Sequence, residues 1–464
     1  MKAKAIFVGG TASHAGKSWM ATAICAYLRR RRGLRVAPFK AQNMSNNSFP
    51  CAGGGEIGRA QVAQAEACEL APEPDMNPVL LKPTSHLGSQ VIVNGKLWRN
   101  LTSTDYYRCT DFLRDAALDA YERLASRFDY VVIEGAGSVA ELNLKSRDFA
   151  NLSLARETSA AALLVGDIDR GGIFASIIGT LALLDPEERK LVRAFAVNRF
   201  RGNLALFDDG VDILEARSGC PSLGVFPMLD GAAIHDEDSV SLDEAVSDPD
   251  ASIAIVRLPR ISNFTDFRLL RASWITRPVE REFDWVILPG TKNTIGDLAW
   301  LRQTGLDEWI ARQHERGANV VGVCGGFQML GETIEDPGGM ESGAPAAARG
   351  LGLLPVTTTL DSRKIVRTVQ ARVAGIDAGA YEIHLGRTES HRMLPAFAEL
   401  PGDRTDGAVC GRVMGTYLHG IFEHAAVARA LFGAIREPAR DPYLELTGWF
   451  ERHADRRLFE EQFL

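Results

Sequence analysis

A cysteine between glycines at the end of an apolar strand is the first candidate nucleophile in this sequence. Asn319–Val323 (NVVGV) reads as a buried strand that runs into Cys324, and Gly325-Gly326-Phe327-Gln328-Met329-Leu330 reads as the helix that leaves it. A Gly-x-Cys-x-Gly turn projects its central side chain from a tight, strained bend. The positive end of the following helix favours negative charge there. The N–H of Gly325 can then face an oxyanion, and Gly290, in the Pro289-Gly290-Thr291-Lys292 segment after the strand Trp285–Leu288, offers a second donor. A thiol nucleophile needs a base, which is usually distant in sequence. His419 in Gly415–Glu423 (GTYLHGIFE), after a strand-like piece at 409–413, is the first candidate, and His384 in YEIHLG is its competitor.

A second centre lies near the N-terminus. The strand Lys4–Val8 runs into GGTASHAGKS and then a helix, the setting in which backbone N–H groups and a helix N-terminus cradle phosphates. The usual G-x-x-x-x-G-K-[ST] spacing needs glycine at 11; here Thr11 stands there and the glycine is one earlier, at Gly10. Gly10, Thr11 and Gly16 would shape the loop, Lys17 would reach the outer phosphates of ATP, and Ser18 would hold Mg²⁺. Glu134 closes the strand DYVVIE before Gly-Ala-Gly, at the strand end where open α/β sheets place ligands, and is the expected acidic partner of the metal. Glu56, in GGGEIG, is a weaker second metal candidate. Lys40, directly after the strand Leu34–Phe39, is expected to contact an anion. Asp167, Asp169 and Arg170 in GDIDRGG follow another strand and are candidate substrate contacts.

The elements that must position these groups alternate in type. Lys4–Val8, Leu34–Phe39, Asp129–Glu134, Ala161–Gly166 and Arg193–Asn198 read as strands with helices between them, notably Lys17–Arg32 and Asp111–Arg127. That alternation predicts a parallel, doubly wound sheet. Positions 236–252 hold seven acidic residues and no basic one, which reads as an exposed linker. The alternation then restarts at Ala251–Leu258. The predicted organisation is α/β with two doubly wound domains: 1–235 carrying the phosphate loop, a linker at 236–250, a thiol domain at 251–433, and a tail at 434–464 whose Trp449, Phe450, Phe459 and Phe463 suggest docking.

Composition sets the outer bounds. The 464 residues are 46% hydrophobic and 24% charged, as in ordinary globular proteins. The net charge of −7 provides no broad basic field for nucleic acid or an anionic membrane, so anionic ligands must be held locally. The apolar runs are too short for a spanning helix. Seven scattered cysteines, with no CxxC, point to a reducing cytoplasm rather than to a disulfide framework or zinc site.

Across essentially its whole length the chain resembles the glutamine-hydrolysing cobyric acid synthase family of the cobalamin pathway. The stretches that carry the resemblance are GGTASHAGKS, PFKAQNMSNNS, MNPVLLKPTSHLGSQVIVNGK, VVIEGAGS, GDIDRGGIFASIIGT, VNRFRGN, RLPRISNFTDF, LPGTKNTIGDL, GVCGGFQML, YEIHLGRT and GTYLHGIFE. The resemblance implies a dethiobiotin-synthetase-like P-loop domain joined to a class I glutamine amidotransferase domain. It implies that Cys324 attacks glutamine, that His419 rather than His384 is its base, and that ammonia displaces phosphate from acyl phosphates. It further implies adenosylcobyrinic acid a,c-diamide as substrate, amidated at four side chains (b, d, e and g), with Glu134 as the metal-binding glutamate. Many amidotransferases carry a glutamate two residues after the histidine, but here that position is Ile421 and Glu423 lies two further on. The sequence therefore shows a Cys–His dyad with no named residue to orient His419. Rival readings are an amidotransferase-synthetase for another polycarboxylate and a P-loop switch ATPase, which would leave GVCGGFQ and His419 without a role.

Overall fold

The structure, a computed structural model, describes residues 2–84, 88–229, 248, 250–341, 343–437 and 441–464. Apolar runs such as AIFVGG, YVVIE and AALLVGD are long enough to be buried on both faces, which suits central parallel strands. They form a six-stranded sheet in the order Ser222–Pro227, Val192–Phe200, Ala161–Asp167, Lys4–Gly10, Tyr130–Glu134, Val36–Phe39, every pairing parallel. Lys4–Gly10 lies at the centre, and the chain departs from it in both directions. This is the switch point at which strand C-terminal ends make a crevice. The phosphate loop, Glu134, Asp167 and Asn198 all stand on that edge.

Between Phe39 and the helix Thr110–Ala125 the sequence marks no further strand. The structure places a small sheet there, Gln42–Met44, Val79–Pro83, Gly88–Val93 and Lys96–Thr102, and a hairpin, Ser48–Pro50 with Glu56–Gly58. The hairpin leads directly into the helix Arg59–Ala67.

The second unit has its own six-stranded sheet in the order Ala272–Ile275, Ile253–Val256, Trp285–Leu288, Asn319–Val323, Val413–Thr416, Ala408–Cys410. The first five strands are parallel. The last two strands are antiparallel and joined by a tight turn with Gly411 at φ 60°. Two four-stranded sheets drawn from residues 333–406 extend this unit. The expected acidic linker lies outside the described residues apart from Asp248 and Asp250.

Polar pairs join the two units. Arg59 donates to both carboxylate oxygens of Glu423 (2.7 and 2.9 Å), the Ser48 N–H donates to Asn263 Oδ1 (3.0 Å), and Lys364 pairs with Glu56. Phe49 packs on Tyr381 with ring centroids 4.8 Å apart.

The tail docks on the first unit, although it follows the second. Helices Pro442–His453 and Arg456–Phe463 bury Trp449, Phe450, Phe459 and Phe463 with Tyr27 and Phe226. Tyr27 lies 5.2 Å from Phe450 and 5.9 Å from Phe459. The arginine run at the end of the helix Lys17–Arg30, which suits a negative helix end, also meets this tail: Arg30 pairs with Asp441 (2.6 Å), Arg31 with Glu451 (3.0 Å) and Arg32 with Glu460. Phe450→Ala should therefore lower unfolding stability by about 3–5 kcal/mol through the cavity it leaves. Leu444→Ala, at an exposed position of the same helix, should change it by no more than about 0.5 kcal/mol. Denaturant titration of both variants checks the difference.

Candidate active sites

The thiol centre is built by three separate loops. Cys324 sits at φ 53° and ψ −110° between the strand Asn319–Val323 and the short helix Gly325–Leu330. This is the left-handed strain expected of an elbow. The bend closes tightly: a Cβ on Gly326 would stand 2.0 Å from the Leu288 carbonyl oxygen, so no other residue fits. Gly325 abuts the backbone N–H of Thr291, and Gly290 lies against His419 Cε1.

His419 follows the strand Val413–Thr416, which is parallel to the cysteine strand. Its Nδ1 is 2.7 Å from Asp266 Oδ2, and the other carboxylate oxygen of Asp266 accepts the N–H of Gly420 at 2.8 Å. Asp266 and His419 are each only 1% exposed. Nε2 of His419 is buried with no nitrogen or oxygen partner among the described residues, and the group acting on it is the Cys324 thiol. Burial alone would lower the His419 pKa. The Asp266 charge and hydrogen bond outweigh it and, with the thiol, raise the value from 6.5 to about 10. The imidazole is thus fixed in orientation by Asp266.

The expected dyad is therefore a triad, Cys324–His419–Asp266. Asp266 lies 153 residues before the histidine, in SNFTDF. That motif belongs to the resemblance, but nothing local in it points to the histidine. Glu423 does not orient His419; both its oxygens face Arg59 and it also meets Arg268 at 3.1 Å. His384 is stacked on Tyr417 (3.8 Å between centroids), with Nε2 3.6 Å from Glu382.

In the first unit, Gly16 at φ 92° accepts no side chain: a Cβ would stand 1.9 Å from Asn198 Nδ2, which itself donates to Ala15 O. Thr11 N–H donates to Val165 O, and Gly10 lies against the Lys17 side chain. Lys17 Nζ donates to the carbonyls of Ala12 (3.0 Å) and Gly137 (2.8 Å). Ser18 Oγ donates to Glu134 at 2.8 Å, and Lys40 Nζ reaches the same carboxylate at 2.9 Å. Gln64 completes the shell at 2.5 Å. Burial would raise the Glu134 pKa, but Lys40, Ser18 and Gln64 more than offset it, so the group stays ionised. Lys40 thus neutralises Glu134 here.

Glu56 departs from expectation as a metal ligand. Its oxygens are taken by Lys364 and by Lys82 (2.5 Å), so it is an ion-pair partner at the junction of the units and is not brought to Ser18. Asp167 stands among arginines, 3.7 Å from Arg170 and 3.5 Å from Arg199. Asp169 pairs with Arg201 at 2.7 Å. These residues sit beside the phosphate loop through Asn198.

A thiol triad of this layout beside a phosphate-loop sheet defines a glutamine amidotransferase fused to a nucleotide-binding domain, and the comparisons agree. Residues 6–240 match the family described as CobQ/CobB/MinD/ParA nucleotide binding domain, and residues 252–427 match the CobB/CobQ-like glutamine amidotransferase domain. Cobyric acid synthase of Dehalococcoides mccartyi strain CBDB1 is 46% identical, covering 94% of this chain and 91% of its own. That of Sorangium cellulosum is 49% identical with the same coverages. The chain belongs to the cobyric acid synthase family.

Because the folded His419 pKa exceeds its unfolded value, the Asp266 pair stabilises the fold fully below about pH 6.5, and this contribution is lost as pH rises through about 10. Asp266→Asn should lower glutamine hydrolysis by on the order of 10²–10⁴, by analogy with other triads. Its stability deficit against the parent should be largest near pH 6 and shrink toward pH 10. Glutamate-release assays and denaturant midpoints across that range test both.

Proposed function

We propose that this chain is an ATP- and glutamine-dependent amide ligase that amidates the b, d, e and g carboxylates of adenosylcobyrinic acid a,c-diamide, giving adenosylcobyric acid. The observation that carries the reading is the presence in one chain of the Cys324–His419–Asp266 triad and the Lys17–Ser18–Glu134 loop site, on two units joined by buried ion pairs. The substrate identity rests on family membership.

In the amidotransferase unit, Cys324 Sγ attacks the side-chain carbonyl carbon of glutamine. The oxyanion faces the N–H groups of Gly325 and Gly290. His419 takes the thiol proton and gives it to the departing ammonia, then takes one from the water that hydrolyses the thioester and returns it to the sulfur as glutamate leaves. Asp266 holds the ring through both transfers.

In the synthetase unit a substrate carboxylate attacks the γ-phosphorus of ATP and ADP leaves. Ammonia then adds to the acyl phosphate, and phosphate leaves to give the amide. Lys17 moves from the loop carbonyls onto phosphate oxygens, a short shift for a flexible ammonium. Ser18 and Glu134 are suited to Mg²⁺, because a hydroxyl and an ionised carboxylate side by side, with phosphates and waters, match its preferred donors. When bound, that ion neutralises charge on the phosphates. Lys40, beside the Glu134 carboxylate, faces the substrate anion. Asp167, Asp169 and Arg170, with Arg199 and Arg201, form the strand-end loops that receive the polycarboxylate. No described helix is long and apolar enough to cross a membrane, and all seven cysteines are unpaired, which suits a cytoplasmic reaction.

Mass spectrometry of the corrinoid after incubation with ATP, Mg²⁺ and glutamine tests this directly: each amidation replaces OH by NH₂, so the steps are counted from the mass. Cys324→Ser should lose glutamine-driven product but accept ammonium salts. Lys17→Ala should lose product with either nitrogen source while some glutamine hydrolysis persists. A corrinoid mass unchanged by the parent protein would overturn the assignment.

A further inference from the structure

A small enclosed cavity opens at Cys324. Its lining includes Thr294, Gln328, Lys292 and Glu341 from the amidotransferase unit, and Asn46 and Lys82 from the synthetase unit. Lys364 also borders it, so three lysines and one glutamate face the space beside the nucleophile. The triad chemistry uses none of these charges.

The lysines are not equivalent. Lys82 and Lys364 share the carboxylate of Glu56, one on each oxygen. Lys292 instead donates to the neutral side-chain oxygen of Gln90 at 2.9 Å, and no carboxylate of the described residues pairs with it. Burial, then the charges of Lys364 and Lys82, push its pKa well below the usual lysine range. Glu341 is the complementary case. It accepts hydrogen bonds from Thr294 Oγ1 (2.9 Å) and the Ile295 N–H (3.3 Å), no cation of the described residues pairs with it, and burial raises its pKa to about 7. A buried charge without its opposite is costly unless a ligand supplies it. The α-carbon of glutamine carries both missing charges on one atom.

We propose that Lys292 and Glu341 read the amino-acid head of glutamine, Lys292 taking the α-carboxylate and Glu341 the α-ammonium. The inference rests on the glutamine-hydrolysing reading and names the residues that select the substrate there. Gln90, which holds Lys292 in place, comes from the synthetase unit. The head-group site is therefore complete only while the two units are together.

The test uses the full chain and three amides: L-glutamine, 4-aminobutanamide, which lacks the α-carboxylate, and glutaramic acid, which lacks the α-ammonium. Ammonia release gives kcat and KM for each. Lys292→Met should raise the glutamine KM by about ten- to a hundredfold, the size expected for a lost charged hydrogen bond, with a smaller change in kcat. It should also abolish the preference for glutamine over 4-aminobutanamide while keeping that over glutaramic acid. Glu341→Gln, which preserves shape should the lysine variant not fold, should do the reverse. Preferences equal to the parent's in both variants, or an equal loss on all three amides, would overturn the proposal. Absence of glutamine hydrolysis by the parent would instead overturn the underlying reading.

Discussion

Glu56 is buried between Lys82 of its own unit and Lys364 of the other, and this shared carboxylate governs how the molecule is joined. Three charged side chains in a dry environment are stable only as a set, since removing one partner from such a group leaves an uncompensated charge at a cost of about 3–5 kcal/mol. Arg59 with Glu423 and Arg268 repeats the arrangement a short way off. Opening the join would expose both sets and uncover the cavity at Cys324.

One segment threads both centres. Residues 48–67 form a hairpin and a helix. They carry Glu56, which pairs with two lysines of the cavity wall, and Arg59, whose guanidinium lies over the rings of Phe49 and Tyr381. Tyr381 stacks on His419 at 5.4 Å. From the same helix Gln61 and Gln64 reach Glu134 at the phosphate loop. Arg59 and Tyr381 thus connect this helix to the ring of His419.

The parallel sheets were legible because their strands are near-continuous apolar runs ending in glycine-rich or acidic turns, as in YVVIEGAG and NVVGVCGG. The same turns mark the loop lysine, Glu134 and Cys324, since an open sheet collects its ligands at strand ends. Asp266 was not legible: it lies in an irregular stretch after Ile261–Ser262, and its partner is set by tertiary closure alone. The short strands of residues 42–102 and 333–406 were harder to read because several, such as Lys96–Thr102 and Ile365–Val373, are half-exposed, with charges such as Arg99, Arg367 and Arg372 breaking the apolar pattern. Glu56 misled because glycines around an acidic residue look alike whether the carboxylate meets a metal or a lysine.

The C-terminal helices return to the first unit and cover the side of Lys17–Arg30 that would otherwise be apolar and open. During synthesis the first unit emerges hundreds of residues before its own cover does. Its sheet can form early, yet the face holding Tyr27 and Phe226 stays bare until residues 442–463 have left the ribosome. The whole amidotransferase unit must be made in that interval, so the nascent chain carries an adhesive apolar surface throughout it. The arginines at 30, 31 and 32 put three positive charges at the rim of that surface, which hinders association between nascent copies until the acidic residues of the tail arrive to pair with them.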